Sequence, residues 1–253
     1  MTVRRDLVDG VAVVSFDRPA RHNAINDEMS RAWRDALLWA IESDDVRCIL
    51  LCGEGPSFSS GRDTAELGRR SAGQSDHGFV EKAQALRIAT LEAAKPIVAA
   101  VQGHTIGGAC EIALSADIRL AADDLRMATP EVRYGLVADT GATQLITMLA
   151  GPARAKWMLM SGEPIDAATA LAWGLVDWVV DPADLRSVAM DRCRLLAAAP
   201  PDASRTAKSL VDGVWRDTVR RGMRAELEAQ TALFAGAEYQ ELKAARAAKA
   251  GDP

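Results

Sequence analysis

Two glutamates are the side chains whose positions in this sequence best suit acid–base chemistry. Glu111 follows a glycine turn at the start of a predicted helix, and Glu131 comes directly after Thr129-Pro130. Two carboxylates beside one pocket can hold a water molecule and exchange protons with a bound substrate. Each also has a structural interpretation, because the helix dipole favours an acid in the first turn and turns are commonly polar. Asp139 is equally ambiguous, as a helix N-cap or as a third acid of the pocket.

Glycine-containing turns follow a predicted strand at two places, residues 58–63 and 103–111. Neither matches a phosphate-binding loop, because no Lys-Ser or Lys-Thr pair follows and no spaced glycine triplet opens a dinucleotide unit. Such turns can present unpaired backbone N–H groups at the start of a helix. Brought together, two of them could bind a carbonyl oxygen that gains negative charge during a reaction. Alternatively, the glycines only permit close packing.

Histidines and cysteines offer no comparable arrangement. The histidines are His22, His77 and His104, and none has a nearby serine, cysteine or metal-ligand partner, so we interpret His104 as a structural hydrogen-bonding residue. The four cysteines lack metal-ligand spacing, and Cys48 and Cys52 lie in an apolar run typical of a buried strand. We therefore predict reduced, buried thiols and no metal site.

Strands and helices are predicted to alternate up to about residue 182. Predicted strands cover residues 11–16, 46–52, 97–101, 118–122, 125–128 and 175–180, and predicted helices cover about 79–94, 109–116, 140–149, 153–161 and 166–173. A helix capped by Asn26 is indicated by helical spacing of apolar residues from Ile25 to Ile41. The composition of residues 68–78 predicts a mobile loop. The chain after about residue 183 is predicted to be helical. It ends in a predicted helix over residues 238–249 that is exposed or contacts another subunit. The predicted fold class is α/β.

The composition is that of an ordinary globular protein and excludes several functional classes. The chain has 253 residues, 49% of them apolar and 26% charged, with a formal net charge of -5. No basic cluster marks a nucleic-acid surface, and no segment approaches the ~18 apolar residues of a membrane helix. The first residues lack the apolar stretch of a secretory signal. We expect a cytoplasmic protein with no nucleic-acid or membrane partner.

Several motifs, in the same order along the chain, resemble those of the enoyl-CoA hydratase/isomerase (crotonase) superfamily. They are Arg18-Pro19 with residues 23–26, Ser60-Gly61-Arg62-Asp63, residues 107–111, Thr129-Pro130-Glu131, and residues 135–144, 161–165 and 170–176. The resemblance covers residues 8 to about 200. It implies a crotonase-like spiral of ββα units that forms the core and the acyl-CoA site over residues 1–198. A helical C-terminal trimerisation region over residues 199–253 would assemble a homotrimer or a dimer of trimers.

The same resemblance implies an acyl-CoA thioester as substrate and gives individual residues a role. The backbone N–H groups of Arg62 and Gly108 match the oxyanion-hole positions, and Glu111 and Glu131, 20 residues apart, match the two catalytic glutamates. The other residues implied to bind the substrate or its coenzyme A are Arg21, His22, Ala24, Ser60, Gly61, Asp63 and Gly107. No metal is implied, and no cofactor other than the coenzyme A carried by the substrate.

Both glutamates together favour an enoyl-CoA hydratase, which adds water across the 2,3 double bond and yields a 3-hydroxyacyl-CoA. Two alternatives stay open: a double-bond isomerase that uses a single acid, Glu131 or Asp139, and a homologue that binds acyl-CoA without turnover. The sequence departs from the family pattern at Arg62, where a small residue is usual. The long side chain of Arg62 is expected to narrow the acyl pocket or to pair with an acid.

Overall fold

The computed structural model describes the backbone of residues 2–250 and their side chains, except those of residues 247, 249 and 250. The strands are β1 Val3–Val8, β2 Val11–Phe16, β3 Cys48–Gly53, β4 Ile97–Val101, β5 His104–Ile106, β6 Ile118–Ala122, β7 Arg126–Ala128, β8 Ile165–Asp166 and β9 Trp178–Val180. The α-helices are α1 Asp27–Glu42, α2 Asp76–Leu91, α3 Gly108–Leu114, α4 Ala142–Ala150, α5 Pro152–Ser161, α6 Ala167–Ala172, α7 Leu185–Ala197, α8 Pro201–Asp212, α9 Arg216–Ala235 and α10 Ala237–Ala250. Short 3-10 helices cover Pro19–Arg21 and Pro130–Tyr134. The predicted α/β class is confirmed.

Six strands form one sheet in the order β1-β2-β3-β4-β6-β9, and β5, β7 and β8 form a smaller one. In the large sheet β1 pairs antiparallel with β2, and the other neighbours are parallel. Asp9 and Gly10, both at positive φ, close the β1–β2 hairpin in the turn type that Asp-Gly favours. The sequence does not predict β1, because five of its six residues are exposed at the sheet edge and give no apolar run. It does not predict β5 either, because that strand has only three residues inside the glycine-rich turn.

The large sheet is buried on both faces, and alternate residues of its strands enter different cores. Val14 and Leu51 pack with residues of α1, α3 and α4, whereas Val13 and Leu50 pack with residues of α7. Strands that are covered on both sides are apolar almost throughout, and β2 and β3 have that character. Helices α3 and α4 are thereby anchored to one face of the sheet, and both contribute to the site described below.

Capping residues and glycines fix the element boundaries. Asn26 caps α1 as predicted, its Oδ1 accepting a hydrogen bond at 2.9 Å from the N–H three residues further on. Ser75 caps α2 in the same way at 3.0 Å, so α2 begins at Asp76. The predicted helix start at residue 79 is therefore wrong, and residues 76–78 of the predicted loop are helical. Strand β9 begins at Trp178 and not at residue 175, because Gly174, at φ +73°, still forms part of a turn.

From residue 185 to residue 250 the described chain contains only helices, as predicted. Helix α9 packs against α2 and α4, with Val219 and Met223 in the main core. Phe234 and Tyr239 form a separate apolar cluster over Leu136, so the last helix is not fully exposed. The division of the chain at residue 198 and the trimerising role of the C-terminal region stay predictions. Among the helices of residues 2–250, none combines the length and the apolar character that crossing a membrane requires.

Candidate active site

The two glycine-containing turns singled out in the sequence lie side by side. Ser59 N donates to His104 O at 2.9 Å, and Ile106 N donates to Ser59 O at 3.1 Å, so residues 58–63 run along β5. The same turn also pairs with the segment before α1, because Ile25 N donates to Gly61 O at 2.8 Å. Three segments that are distant in sequence therefore meet at one edge of the fold.

Gly61 and Gly107 occupy positions where only glycine fits. Gly61 has φ +82°, and a Cβ atom there would lie 2.5 Å from Ile106 O. Gly107 has φ +58°, and its Cβ atom would lie 2.7 Å from Glu131 Oε1. Positive φ and close approach both exclude other side chains. The glycine turn of residues 103–111 therefore lies directly against the carboxylate of Glu131.

Arg62 and Gly108 follow these two glycines, and their backbone N–H groups are unused within residues 2–250. The neighbouring N–H groups are paired: Gly61 N donates to Ser59 Oγ at 3.1 Å and Asp63 N donates to Ile25 O at 3.0 Å. Gly108 is the first residue of α3, where N–H groups have no partner inside the helix. The two donors belong to the two adjacent turns.

The side chain of Arg62 pairs with acids, which is one of the two arrangements expected from the sequence. Its Nη2 lies 2.6 Å from Asp27 Oδ1 and 3.4 Å from Glu66 Oε2, and the guanidinium lies 5.7 Å from the centre of the Phe79 ring. Asp27 is in the first turn of α1. The guanidinium is therefore held toward the N-terminus of α1 while the backbone of Arg62 stays in the turn.

Glu111 lies in the first turn of α3, as predicted, and is buried. Its Oε1 accepts hydrogen bonds from Thr140 N at 2.8 Å and from Ala142 N at 3.4 Å. Both donors lie at the N-terminus of α4, where the helix dipole also favours a negative charge. Glu111 is therefore fixed by two helices, its own and α4.

Glu131 lies in the 3-10 helix that follows Thr129, close to Gly107. Its Oε2 is buried and has no hydrogen-bond partner among the described residues. Loss of hydration, together with the nearby charge of Glu111, raises the pKa of the Glu131 carboxyl to about 8. The carboxyl of Glu131 can therefore exchange a proton near neutral pH.

Asp139 is not a helix N-cap, so that interpretation is wrong. Helix α4 begins at Ala142, and its N-cap is Gly141 at φ +104°, a conformation that suits glycine. Asp139 Oδ2 instead accepts a hydrogen bond from Gln230 Nε2 at 3.0 Å. Burial and the charge of Glu111 raise the pKa of Asp139 to about 8. The charge interaction with Glu111 places Asp139 in one group with the two glutamates.

A fourth acid, Glu226 of α9, joins this group and has no counterpart in the sequence-based prediction. It is 4% exposed, and burial together with the charge of Glu111 raises its pKa to about 7. We call Glu111, Glu131, Asp139 and Glu226 the acidic cluster. A signal for Glu226 does exist in the sequence. It lies on the buried stripe of α9 at helical spacing with Val219, Met223, Gln230 and Phe234.

Two arginines oppose the acidic cluster. Arg87 of α2 is buried, and its Nη1 donates to Ser115 Oγ at 2.9 Å. Burial lowers the pKa of Arg87 to about 10, while the charges of Glu111 and Asp139 act in the opposite direction. Arg70 lowers the pKa of Asp139. Its guanidinium is sandwiched between aromatic rings, 4.1 Å from Phe79 and 4.6 Å from Phe234.

The family model for enoyl-CoA hydratase/isomerase matches residues 6–248. The chain belongs to this family. A short-chain-enoyl-CoA hydratase of Clostridium acetobutylicum is 33% identical over 226 residues, which are 88% of this chain and 82% of that protein. A 1,2-epoxyphenylacetyl-CoA isomerase of Escherichia coli is 31% identical over 237 residues, 92% of this chain and 90% of that protein. The crystal structure of an enoyl-CoA hydratase/isomerase from Pseudoalteromonas atlantica superimposes with a TM-score of 0.87 at 28% identity, covering 98% of both chains. The predicted crotonase-like fold is thereby confirmed.

In this member of the enoyl-CoA hydratase/isomerase family, residues implied to bind coenzyme A lie beside the first glycine turn. We call residues 21–24, 60 and 63 the rim. Arg21 and His22 are exposed at the end of the 3-10 helix Pro19–Arg21. Ser60 N donates to His22 O at 2.8 Å, which ties the rim to the turn. The exposed cation of Arg21 is thus available to an anionic group.

Arg18 and Asn23 hold this rim in place. Arg18 Nη1 donates to Ala24 O at 2.6 Å and pairs with Asp63 Oδ2 at 3.1 Å. Asn23 is fully buried at φ +54°, and its Nδ2 donates to three backbone carbonyls, those of residues 54, 57 and 58. Ala24 and Asp63, both implied to contact the substrate, are therefore connected through one arginine.

The surroundings of His22, His104 and the four cysteines fit a structural role. Ser57 Oγ lies 3.0 Å from His22 Nδ1 and 3.3 Å from His104 Nδ1, so His104 takes part in a hydrogen-bond network as predicted. Burial lowers the pKa of His104. All four cysteines are free and buried, again as predicted. Among the residues described with side chains, no group of three His, Cys, Asp or Glu is arranged to hold a metal ion.

Proposed function

We propose that the protein is an enoyl-CoA hydratase, which adds water across the 2,3 double bond of an enoyl-CoA thioester to give a 3-hydroxyacyl-CoA. One observation carries the proposal: both glutamates meet one glycine turn. Glu111 lies three residues after Gly108, and Glu131 Oε1 lies against Gly107. Adding water needs one group to orient the water and one to take its proton, and two carboxylates supply both. The curated relative named as a short-chain-enoyl-CoA hydratase supports the same reaction.

The substrate carbonyl is the first group to be bound in this mechanism. The thioester oxygen accepts hydrogen bonds from the N–H groups of Arg62 and Gly108, which have no partner within residues 2–250. As the reaction proceeds this oxygen becomes an enolate oxygen, so both hydrogen bonds strengthen in the transition state. Loss of one such donor typically lowers the rate by ~10²–10³.

Water is bound between Glu111 and Glu131 in the same mechanism. Glu131 takes a proton from the water as its oxygen bonds to C3, and the double-bond electrons move toward the carbonyl to form the enolate. Because the pKa of Glu131 is raised to about 8, its carboxylate is a better base than an exposed one. A proton is then delivered to C2, so the two hydrogens of the water end on the C3 hydroxyl and on C2. The mechanism uses no cofactor besides the coenzyme A of the substrate.

Hydration of crotonyl-CoA, followed as loss of the enoyl-thioester absorbance, tests the proposal. The variants are Glu111→Gln and Glu131→Gln, which keep the shape of each side chain but remove its acid–base capacity. Glu28→Gln, at an exposed position in the first turn of α1, is the matched control. We expect both site variants to lose turnover by ~10²–10⁴ while the control keeps it. Equal turnover in all variants would contradict the two-glutamate mechanism.

A double-bond isomerase is the second candidate, and the position of Asp139 favours it. Burial raises the pKa of this third acid to about 8 as well, and one curated relative is named as an isomerase of an epoxide-bearing acyl-CoA, 1,2-epoxyphenylacetyl-CoA. An isomerase moves a proton between two carbons and needs only one acid–base group. Supplying a 3-enoyl-CoA and measuring the conjugated product separates the two reactions. Isomerisation without hydration, abolished by Asp139→Asn or Glu131→Gln, would replace the first proposal.

Coenzyme A of the substrate is proposed to lie along the rim formed by residues 21–24, 60 and 63. Arg21 is its exposed cation, and the N-terminus of α3 adds the positive end of a helix dipole. Because the chain carries a net charge of -5, binding of an anionic ligand depends on such local features. Arg21→Ala is expected to raise KM for crotonyl-CoA with little change in kcat.

A further inference from the structure

Four consecutive backbone N–H groups at the start of α4 donate alternately to two buried carboxylates. Thr140 N and Ala142 N donate to Glu111 Oε1 at 2.8 and 3.4 Å. Gly141 N donates to Glu226 Oε2 at 2.8 Å, and Thr143 N donates to Glu226 Oε1 at 3.2 Å. The Thr143 hydroxyl donates to Glu226 as well. Residues 140–143 are thus held between one acid of α3 and one acid of α9.

The alternation makes the position of Glu111 depend on Glu226. The carboxylate of Glu111 rests on the N–H groups of Thr140 and Ala142, and each of these residues is bonded covalently to Gly141. Gly141 is the most permissive residue of the segment, at φ +104°. Its N–H group is fixed by Glu226 Oε2. Without that acceptor, the peptide group that joins Thr140 to Gly141 loses the hydrogen bond that fixes it, and the adjoining Thr140 N–H that supports Glu111 is held less firmly.

We propose that Glu226 is a positioning residue for Glu111, acting through the shared N-terminus of α4. Only the kinetic consequence of this inference rests on the proposed hydratase function. The effect on the position of residues 140–143 is independent of any reaction. Since a displacement of about 1 Å at a catalytic group can cost ~10²-fold in rate, a small shift of Glu111 is sufficient to be measured.

The chemistry of α9 argues that Glu226 does more than fill space. The same helix face carries Val219, Met223 and Phe234, which stabilise the fold by burial alone. A second carboxylate placed beside Glu111 is costly to bury, and Glu226 offsets that cost by accepting hydrogen bonds from the N–H groups of Gly141 and Thr143. The charged groups that interact with Glu226 are Glu111 of α3 and Asp139. Arg87 of α2 opposes both of these acids, and Arg70, in the loop before α2, opposes Asp139.

Amide hydrogen exchange of the free protein provides the first test. Glu226→Gln keeps the side-chain shape, but its NH₂ group faces an N–H donor, so one of the two backbone hydrogen bonds is lost. We expect exchange at residues 140–143 to become at least about tenfold faster than in wild type. Glu228→Gln, at an exposed position of the same helix two residues on, is expected to leave it unchanged. Unchanged exchange in a folded Glu226→Gln protein would overturn the proposal.

Crotonyl-CoA hydration provides the second test. Glu226→Gln is expected to lower kcat by roughly 10–100-fold with KM changed less than about threefold, because the substrate-binding rim is untouched. The ratio of wild-type to variant kcat should fall toward one below pH 7, since protonated Glu226, with a pKa of about 7, resembles glutamine. A ratio that stays constant with pH would indicate a merely structural defect.

The two measurements distinguish a failure of the hydratase proposal from a failure of the positioning role of Glu226. If wild type hydrates no enoyl-CoA, the hydratase proposal fails, and hydrogen exchange still decides the role of Glu226. Thermal unfolding checks that Glu226→Gln folds. Should it not fold, Glu226→Asp, which keeps the charge but is one methylene shorter, is expected to show the same changes in exchange and kcat to a smaller degree.

Discussion

At the scale of single residues, the acidic cluster concentrates four carboxyl groups in a small buried volume. Two arginines oppose it, and one of them, Arg87, is itself so deeply buried that its pKa falls to about 10. Loss of hydration therefore dominates over charge compensation, and it raises the pKa of Glu131, Asp139 and Glu226 to between about 7 and about 8. These three carboxyl groups titrate close to neutral pH. A group of this kind can both accept and donate protons during one reaction.

The pH dependence of hydration is the first prediction at this scale. Glu131 acts as a base only when it is charged, and its pKa is about 8. We therefore expect kcat/KM for crotonyl-CoA to rise from pH 6 and to level off above about pH 8. Glu28→Gln should show the same profile as wild type. A kcat/KM that is flat or falls between pH 6 and pH 8 would exclude Glu131 as the base.

Gly107→Ala gives the second prediction. The added Cβ atom would lie 2.7 Å from Glu131 Oε1, so the carboxylate must move and turnover should fall by about 10²-fold. Gly73→Ala is a matched control, because Gly73 also has positive φ (+76°) but its Cβ atom would meet nothing within 4 Å. Gly107 has φ +58° and ψ -128°, outside the left-handed helical region, so Gly107→Ala adds backbone strain as well as the contact. Turnover of crotonyl-CoA by Gly107→Ala as high as that by Gly73→Ala would contradict the contact with Glu131.

At the scale of elements, the site depends on segments that are short or irregular. The rim rests on the 3-10 helix Pro19–Arg21, Glu131 on the 3-10 helix Pro130–Tyr134, and Glu111 on a helix of seven residues. Side chains such as Asn23 and Arg18 supply the hydrogen bonds that longer elements would make within their own backbone. Precision at the site therefore comes from side-chain to backbone bonds between distant segments.

Asn23→Ala tests this dependence. The substitution removes the donor to three backbone carbonyls and leaves them buried, and alanine is also less tolerant than asparagine of φ +54°. We expect the free energy of unfolding, measured by urea denaturation, to fall by about 2–4 kcal/mol. Ser30→Ala, at an exposed position of α1, should change it by less than about 0.5 kcal/mol. A loss for Asn23→Ala as small as that of the control would contradict the anchoring role.

Sequence patterns predicted the elements whose signals are local. Asn26 could be predicted as a cap because the helix that it precedes is strongly amphipathic. Glu111 lies in the first turn of its helix, as its spacing from the glycines indicated. Asp139 was misassigned because the glycine two residues later, and not the acid, sets the start of α4. Glu226 was missed because its partners lie more than 80 residues away in sequence. Local rules describe segments, and they cannot report which distant segments meet.

At the scale of the whole molecule, large apolar side chains stay exposed on the helical surfaces. Trp157 and Met160 of α5 are 58% and 72% exposed, and Leu210 of α8 and Val214, two residues after that helix, are 72% and 85% exposed. Contiguous exposed apolar patches mark contact regions between proteins. These side chains are therefore the ones to test for the homotrimer or dimer of trimers that the resemblance implies.

The oligomeric state gives the prediction at this scale. Light scattering of the purified protein should give three or six times the chain mass of 27.0 kDa. Met160→Glu and Val214→Glu, which place a charge in the exposed apolar surface, should shift the mass toward the single chain. Ser30→Glu, at an exposed polar position, should leave it unchanged. A single-chain mass for wild type at micromolar concentration would contradict the expectation.

The hydrogen bonds by which Glu226 connects α9 to the start of α4 also have a consequence for the order in which the chain folds during synthesis. Every motif that resembles the family has been synthesised by residue 176, and all six strands of the large sheet have been synthesised by residue 180. The acceptor of the Gly141 and Thr143 N–H groups is synthesised more than 40 residues later, on the helix that also supplies Val219 and Met223 to the main core. Synthesis of α9 therefore completes the core and fixes residues 140–143 in the same step.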